Sequence, residues 1–254
     1  MAVCGREGVV GAITERSILK IASRGKILPG RTVKDLSASK AAQVRPTMGS
    51  VEAAKAMTDS RGPLLVVEDG QLAGIVTATD LVKVIWRVGA TFDISDVVSQ
   101  SVLTSKLWSR IGSIVKKMDS KGVGSVVLTE RRAPRAIFTE RDLLGKVLYA
   151  GLTLDEPALR ASTSPLITGE FGIGGREAAA AMVSRRIKRL PLLKGGALAG
   201  IVTARDLVQA YAYPYGSRGT EAAAQYRANY GELCPICMSR IDDKGLCGCG
   251  AGGG

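Results

Sequence analysis

Three segments of the chain place a threonine three residues before an aspartate, each at the start of a predicted helix. Because three residues span about one helical turn, the hydroxyl and the carboxylate lie beside free backbone N–H groups, where the helix dipole favours an anion such as phosphate. The carboxylate could also accept two hydrogen bonds from a ribose diol. The alternative is that the threonine caps the helix and the aspartate complements its dipole, with no ligand. The pairs are Thr77 with Asp80, Thr139 with Asp142, and Thr203 with Asp206.

An arginine precedes the aspartate in two of these pairs, at Arg141 and Arg205. Its planar guanidinium could bind phosphate oxygens through paired N–H groups. The alternative is a solvated side chain in the first turn of the helix.

Four cysteines near the C-terminus form a second candidate site, Cys234, Cys237, Cys247 and Cys249. Two short thiolate-bearing turns facing each other are typical of a tetrahedral structural zinc site, so we expect bound Zn²⁺. The alternatives are a redox dithiol or a disulfide pair, which the cytosol disfavours. Cys4 stands apart in a predicted strand and is expected to be buried.

The Thr-x-x-Asp pairs close a repeated segment of the form Gly-apolar-apolar-Thr-x-x-Asp. The repeated segments start at residues 11, 74, 136 and 200, at intervals of 63, 62 and 64 residues, and a near-constant period indicates repeated structural units. Each complete unit is predicted as strand, helix, strand, strand, helix, with Asp69-Gly70 as a hairpin turn in the second and Ser50 as the N-cap of its first helix. The predicted fold class is therefore mixed α/β (α+β).

These residues resemble the cystathionine-β-synthase-type (CBS) domain, whose signature ends in Gly-apolar-apolar-Thr/Ser-x-x-Asp. The resemblance covers about residues 1–213 as four repeats, named repeats 1 to 4 (1–25, 33–90, 91–151 and 155–213). Because CBS repeats pack in pairs, the resemblance implies one pair at 1–90 and another at 91–213. The repeats are followed by a predicted linker or helix at 214–231 and by a predicted zinc ribbon with a glycine tail at 232–254. The resemblance also implies binding of AMP, ADP, ATP or a related adenosine ligand, with each aspartate on the ribose and each threonine near phosphate, and a possible homodimer through the CBS pairs.

Repeat 1 departs from the family pattern in two ways. It lacks the first strand and first helix, and Ser17 stands where the family has aspartate. Either this half-unit is degenerate or another segment completes it. Thr14 with Ser17 retains a hydroxyl but no ribose-binding carboxylate, so we expect a weak or empty site there.

The net charge is +12, which favours a polyanionic partner. Because aromatic residues make up only 4% of the chain, structured RNA is favoured over single strands, although basic runs are often only solvated surface. The candidate RNA-binding residues are Arg131, Arg132, Arg135, Arg185, Arg186, Lys188 and Arg189.

The chain has no histidine, which removes the commonest general base and lowers the expectation of an enzyme. It has one asparagine, Asn229, which is typical of proteins from hot habitats. We find no predicted membrane span or secretory signal and expect a cytoplasmic protein.

The sequence thus favours a non-enzymatic, adenine-nucleotide-responsive protein that docks on RNA, most plausibly the ribosome, and regulates translation or ribosome dormancy. A DNA-binding transcription regulator and a regulatory subunit of an enzyme or transporter remain alternatives.

Overall fold

The computed structural model describes residues 1–5, 8–25, 32 and 41–213. The fold is mixed α/β, as predicted. Three three-stranded sheets and one hairpin carry helices on their connections. The linker, the four C-terminal cysteines and any segment there that could complete repeat 1 lie outside the described residues.

Repeat 1 forms a hairpin followed by one helix. Its antiparallel strands are β1 (Ala2–Gly5) and β2 (Gly8–Ala12), and α1 spans Glu15–Ser23. The expectation of a buried Cys4 is wrong, because this cysteine is exposed on the hairpin.

Repeats 2 to 4 share the predicted order of elements. In each, the first and second strands pair or lie side by side and the last two form a hairpin, as in the parallel β3–β4 and antiparallel β4–β5 pairs. Repeat 2 contains β3 (Ala42–Val44), α2 (Ser50–Ser60), β4 (Leu64–Glu68), β5 (Gln71–Val76) and α3 (Ala78–Arg87). Repeat 3 contains β6 (Thr104–Lys106), α4 (Ile111–Ser120), β7 (Ser125–Glu130), β8 (Ala133–Thr139) and α5 (Glu140–Asp142), which continues as a π-helix over Leu143–Tyr149; a 3₁₀ turn follows at Ala158–Arg160. Repeat 4 contains β9 (Gly169–Glu170), α6 (Gly175–Arg185), β10 (Arg189–Lys194), β11 (Ala197–Thr203) and α7 (Ala204–Ala212).

The N-cap of α2 is Gly49, so the prediction of Ser50 as the cap is wrong. Ser50 is instead the first helical residue, and its hydroxyl lies 3.2 Å from the hydroxyl of Tyr211, a fully buried side chain. The Ser50 side chain therefore bonds to a core residue rather than to the backbone of its own helix.

The chain divides into two compact units that combine non-adjacent repeats. Unit 1 takes the described residues of Met1–Lys40, all of Gln100–Thr168, and Pro191–Gly200, and it therefore joins repeat 1 to repeat 3 together with part of the last hairpin of repeat 4. Of the described residues, unit 2 takes Ala41–Ser99, Gly169–Leu190 and 201–213, and it therefore joins repeat 2 to the helices of repeat 4. This grouping differs from the expected pairs at 1–90 and 91–213.

Side-chain burial explains the grouping within each unit. In unit 1 the buried Leu19 and Ala22 of α1 share one apolar core with Ile111, Ile114 and Met118 of α4. In unit 2 the first helix of each repeat packs on the second helix of the other, α2 on α7 and α6 on α3, and the two second helices also pack together. This reciprocal exchange is the arrangement expected of two similar repeats related by a pseudo-two-fold axis.

Candidate functional site

All four repeats place their threonine as the N-cap of the final helix. The four threonines have φ between −112° and −126° and ψ between 161° and 165°, so the backbone enters each helix in the same extended conformation. Such a conformation lets the N-cap side chain and the third helical residue exchange hydrogen bonds. The capping role proposed as the structural alternative is therefore present in every repeat.

In repeat 3 the threonine and aspartate form a complete capping box. The Thr139 N–H and hydroxyl donate to Asp142 Oδ2 over 2.9 and 2.7 Å, and the Asp142 N–H donates to Thr139 Oγ1 over 3.2 Å. The second carboxylate oxygen is also bonded, because Lys146 Nζ lies 2.8 Å and Thr163 Oγ1 lies 3.4 Å from Asp142 Oδ1. Both oxygens of this buried carboxylate thus have donors within the protein.

In repeat 2 the Thr77 N–H and hydroxyl donate to Asp80 Oδ2 over 3.1 and 2.6 Å, and Lys83 Nζ donates to Asp80 Oδ1 over 3.1 Å. Burial raises the pKa of Asp80, but the hydrogen bonds from Thr77 and Lys83 and the Lys83 charge outweigh it, and the net pKa lies below its ordinary value. The negative charge of the Asp80 carboxylate is therefore compensated by the helix cap Thr77 and by Lys83 of the same helix.

Repeat 4 differs, because no described lysine bonds to its carboxylate, Asp206. The Thr203 N–H donates to Asp206 Oδ2 over 2.7 Å, and the Asp206 N–H donates to Thr203 Oγ1 over 3.3 Å. Among the described residues, Thr203 is the one hydrogen-bond donor to this carboxylate. Burial raises the pKa of Asp206 above its ordinary value, against the opposing effects of the Thr203 hydrogen bonds and the Arg205 and Arg189 charges.

Arg189, one of the candidate RNA-binding residues, is half-buried at the start of β10, and its charge acts on Asp206. The local connection explains this position, since the Ala204 N–H at the start of α7 donates to the Lys188 carbonyl over 2.8 Å. Position within the repeat could have identified Arg189, because it begins the strand that pairs with the signature strand β11.

In unit 1 the residues beside the caps form two reciprocal ion pairs. Arg16 Nη1 lies 3.3 Å from Glu140 Oε1, and Arg141 Nε lies 3.4 Å from Glu15 Oε1. Arg16 also donates to the Val123 carbonyl over 2.6 Å. The predicted phosphate ligand Arg141 is thus engaged with a glutamate.

The described residues of unit 2 form no counterpart of these pairs. The two glutamates are replaced by Ala78 and Ala204, and Arg205 is exposed. The caps of unit 2 are therefore not bridged by opposite charges at these positions.

In repeat 1, Ser17 takes the place of the aspartate and completes the capping box with Thr14. The Ser17 N–H donates to Thr14 Oγ1 over 3.2 Å, and the two hydroxyls lie 3.1 Å apart. No carboxylate stands there, as the sequence indicated.

The remaining basic residues fall into both units rather than into one surface. Arg131 and Arg132 are exposed in the β7–β8 turn of unit 1, and Arg135 pairs with Glu130 at 3.8 Å. Arg185 and Arg186 are exposed at the end of α6 in unit 2, and Lys188 is half-buried.

Two classes of site are not found in the part of the chain that the structure describes. No group of three or more His, Cys, Asp or Glu side chains could hold a metal ion there. Nor is any described helix long and apolar enough to cross a membrane.

Comparison with protein families gives one match, the CBS domain, at residues 33–87 and 175–213. These segments contain Thr77 with Asp80 and Thr203 with Asp206, whereas Thr139 and Asp142 lie outside them.

Among curated relatives, protein MK0525 of Methanopyrus kandleri is 38% identical over 123 residues, which are 47% of this chain and 63% of the relative. The matched part is thus less than two thirds of that relative. Among solved structures, protein MJ1225 from Methanocaldococcus jannaschii covers 82% of this chain, and 85% of its own chain is matched, at a TM-score of 0.68 and 16% identity, which shows a shared fold. The CBS domain protein PAE2072 from Pyrobaculum aerophilum, complexed with AMP, covers 54% of this chain and is itself 98% covered, at a TM-score of 0.42 and 24% identity; a likeness of that size does not assign a ligand to this chain.

Proposed function

We propose that this chain, which matches the CBS-domain model at residues 33–87 and 175–213, binds an adenosine nucleotide in unit 2, with Asp206 as the ribose-binding carboxylate. The observation that supports this most directly is the state of the Asp206 carboxylate. Its Oδ2 is fixed by the Thr203 N–H at 2.7 Å, and no described residue donates to its Oδ1. A ribose diol supplies the two O–H donors that such a half-buried carboxylate lacks.

The other two carboxylates are less suited to this role. Lys83 occupies Asp80 Oδ1, and Lys146 with Thr163 occupies Asp142 Oδ1. A ribose would have to displace a charged donor at either position, which costs the hydrogen bond already made. We therefore place the principal site at Asp206, with Asp80 weaker and unit 1 without a nucleotide.

Two arginines support an anionic ligand beside Asp206. The charges of Arg205 and Arg189 both act on this carboxylate, and no described residue accepts a hydrogen bond from the Arg205 N–H. Because the Ala204 and Asp206 amides are already bonded, phosphate binding would depend on the exposed Arg205 side chain and the Arg205 amide, with the Arg189 charge adding attraction. This favours a short phosphate chain held by side chains.

Calorimetric titration of the full chain with AMP, ADP and ATP tests the proposal. Asp206→Asn is expected to weaken binding at least about tenfold, because a hydrogen bond to a charged group contributes about 1.5–3 kcal/mol. Asp142→Asn is the matched control, since Asp142 makes the same capping bonds in unit 1, and it should leave affinity unchanged. Equal affinity for wild type and Asp206→Asn, in variants shown to be folded by circular dichroism, would overturn the assignment.

We further propose that the exposed arginines dock the protein on structured RNA, most plausibly the ribosome, in a nucleotide-dependent manner. Arg131, Arg132, Arg185 and Arg186 are exposed, and no described acidic side chain pairs with them. Four exposed guanidinium groups and a net charge of +12 favour a phosphate backbone as partner.

Co-sedimentation with ribosomes and with naked RNA over a salt series, with and without AMP or ATP, tests this docking. Ribosome binding that exceeds RNA binding and shifts with nucleotide is expected, and paired Arg131→Gln and Arg185→Gln changes should weaken it. Binding that decays equally on every polyanion would contradict ribosome docking. Sequence-dependent binding to duplex DNA, or a salt-resistant protein partner, would support the regulator or subunit alternatives.

We also propose that Cys234, Cys237, Cys247 and Cys249 hold one structural Zn²⁺, since four thiolates close a tetrahedral site. Elemental analysis of the purified chain should give about one zinc per chain, and Cys237→Ser should lower that content. A metal-free wild-type chain with free thiols would contradict it.

A further inference from the structure

The connection that follows β6 in repeat 3 holds a tryptophan on a fixed turn. The Ser109 N–H donates to the Lys106 carbonyl over 3.0 Å, which closes a four-residue turn with Trp108 at its third position. Leu107, the second residue of the turn, is buried, and its N–H donates to the Thr129 carbonyl over 3.0 Å. The backbone of the turn is thus held by the core, while Trp108 itself is 64% exposed.

This exposed indole is suited to stacking on a nucleic-acid base. Among the described residues, no aromatic ring stacks on Trp108. Every base has a flat face that stacks on an aromatic side chain, and a side chain on a fixed turn loses little freedom when it binds. Trp108 therefore presents a stacking surface that is already ordered.

Two exposed arginines lie at the same end of the sheet as Trp108. Strands β6 and β7 are parallel with Lys106 opposite Thr129, so both strands end on the same side. Trp108 comes two residues after Lys106, and the β7–β8 turn with the exposed Arg131 and Arg132 begins two residues after Thr129. We name this part of unit 1 the Trp108 end; its members are Lys106, Trp108, Arg131 and Arg132.

Both arginines adopt a backbone conformation that favours glycine. The φ angle is 48° at Arg131 and 70° at Arg132, and a two-residue hairpin turn with positive φ at both positions normally contains Asn-Gly, Asp-Gly or Gly-Gly. The equivalent turns of repeats 2 and 4 follow that rule with Asp69-Gly70 and Gly195-Gly196. Because side chains at such angles lower the stability of the turn, the two arginines indicate a use for their charge.

We propose that the Trp108 end binds an unpaired nucleotide of RNA, with the base stacked on Trp108 and the flanking phosphates bound by Lys106, Arg131 and Arg132. This inference rests on the proposed docking on RNA and specifies which part of the RNA is contacted. Paired bases are covered by their neighbours in the helix, whereas the bases of loops, bulges and ends can stack on a protein ring. A structured RNA with an unpaired loop therefore uses both the indole and the three cations.

Tryptophan fluorescence of a Trp86→Phe variant tests the stacking. The chain has two tryptophans, so Trp108 is then the single indole emitter. Acrylamide should quench the emission of the free protein. An RNA hairpin with an unpaired loop should quench the emission directly and protect the indole from acrylamide, whereas a fully paired RNA duplex of equal length should do neither.

Anisotropy of a labelled hairpin measures the affinity of further variants. Trp108→Ala should weaken hairpin binding at least about fivefold, since stacking of one base on an aromatic side chain contributes that much or more. Trp108→Phe should keep most of the affinity, and Trp86→Phe should keep all of it. The effect of Trp108→Ala on duplex binding should be small.

A turn variant separates function from folding. Arg131→Asn combined with Arg132→Gly gives the turn its favoured residues, so the melting temperature should rise while the affinity for the hairpin falls. A loss of affinity in a more stable protein cannot be due to misfolding. An unchanged affinity in this variant would contradict a role of the two arginines in binding.

The results also distinguish this inference from the docking on which it rests. Equal binding of hairpin and duplex, with no effect of Trp108→Ala, would overturn the nucleotide site and leave docking on RNA intact. Failure to bind either RNA would overturn both. An indole that acrylamide does not reach in the free protein would also overturn the site, because Trp108 would then be covered.

Discussion

Arg16 and Glu140 form an ion pair at 3.3 Å between α1 of repeat 1 and α5 of repeat 3. Arg141 and Glu15 repeat it at 3.4 Å with the two repeats exchanged. The pairs therefore lie on the two sides of a pseudo-two-fold axis that relates the helix starts. They join residues more than 120 positions apart in the chain.

We expect the Arg16–Glu140 pair to stabilise unit 1, because Glu140 is buried and Arg16 also bonds to the Val123 carbonyl. A double-mutant cycle with Arg16→Met and Glu140→Gln, measured by chemical denaturation, should give a coupling free energy of about 1–3 kcal/mol. The Arg110–Asp155 pair is the control, since both side chains are well exposed, and its coupling should stay below roughly 0.5 kcal/mol. Equal coupling in the two cycles would contradict a structural role for the buried pair.

Asp206 should lower the stability of the folded chain near neutral pH. Burial raises the pKa of Asp206 in the folded state above its ordinary value of 3.8, so the folded state binds more protons than the unfolded state. The free energy of unfolding therefore falls as pH rises from 3.8 through the folded-state pKa. Asp206→Asn should therefore gain in melting temperature relative to wild type between acidic and neutral pH. A difference between the two proteins that does not change with pH would contradict the raised pKa.

Asp80 should have the opposite pH dependence. The pKa of Asp80 in the folded state is lowered below its ordinary value of 3.8. Its contribution to the free energy of unfolding is therefore fully present above pH 3.8 and is lost as pH falls through the folded-state pKa. Asp80→Asn should destabilise at neutral pH by less than about 1 kcal/mol, because the carboxylate is 45% exposed and solvent screens it. Thermal unfolding across pH measures this, and Lys83→Gln should reproduce part of the loss. If Asp80→Asn raised stability at neutral pH, the explanation would be wrong.

Gly175 should not tolerate a side chain. A Cβ there would overlap the ring carbons of Phe92, and the Gly175 N–H donates to the Phe92 carbonyl at 3.0 Å, which holds the two backbone segments together. Gly175→Ala is expected to cost about 1–3 kcal/mol of unfolding free energy by overpacking. Gly145→Ala, which meets no atom within 4 Å, is the matched control and should be neutral or stabilising. Combining Gly175→Ala with Phe92→Leu should recover part of the loss.

The sequence predicted the order of elements because turns and hydrophobic periodicity are local signals. The Asp69-Gly70 turn lies between β4 and β5 as expected, and the threonine caps begin the final helices. The first strands of repeats 3 and 4 contain only three and two residues, Thr104–Lys106 and Gly169–Glu170. Such short strands depend on one neighbouring strand, so their own residues define their ends poorly.

The grouping of repeats was not predicted, because adjacency in the chain was taken to imply adjacency in space. Long-range packing decides which repeats associate, and local patterns do not report it. One signal was present, however. Repeats 1 and 3 share Thr-Glu-Arg at Thr14–Arg16 and Thr139–Arg141, whereas repeats 2 and 4 share Thr-Ala at Thr77–Ala78 and Thr203–Ala204. The glutamates mark the repeats whose helix starts exchange ion pairs.

The alternation of repeats between the two units has a consequence for synthesis of the chain. The α1 helix emerges first, but the core residues that cover its apolar face begin with Leu107 and end with Ala161. Repeat 2 likewise precedes its partner α6 by a full repeat. During translation neither unit can close early, so both apolar halves stay open until most of the chain has left the exit tunnel. A deletion that removes the last repeat should leave repeat 2 unable to complete its core, and shortening the protein to half its length yields no independent domain.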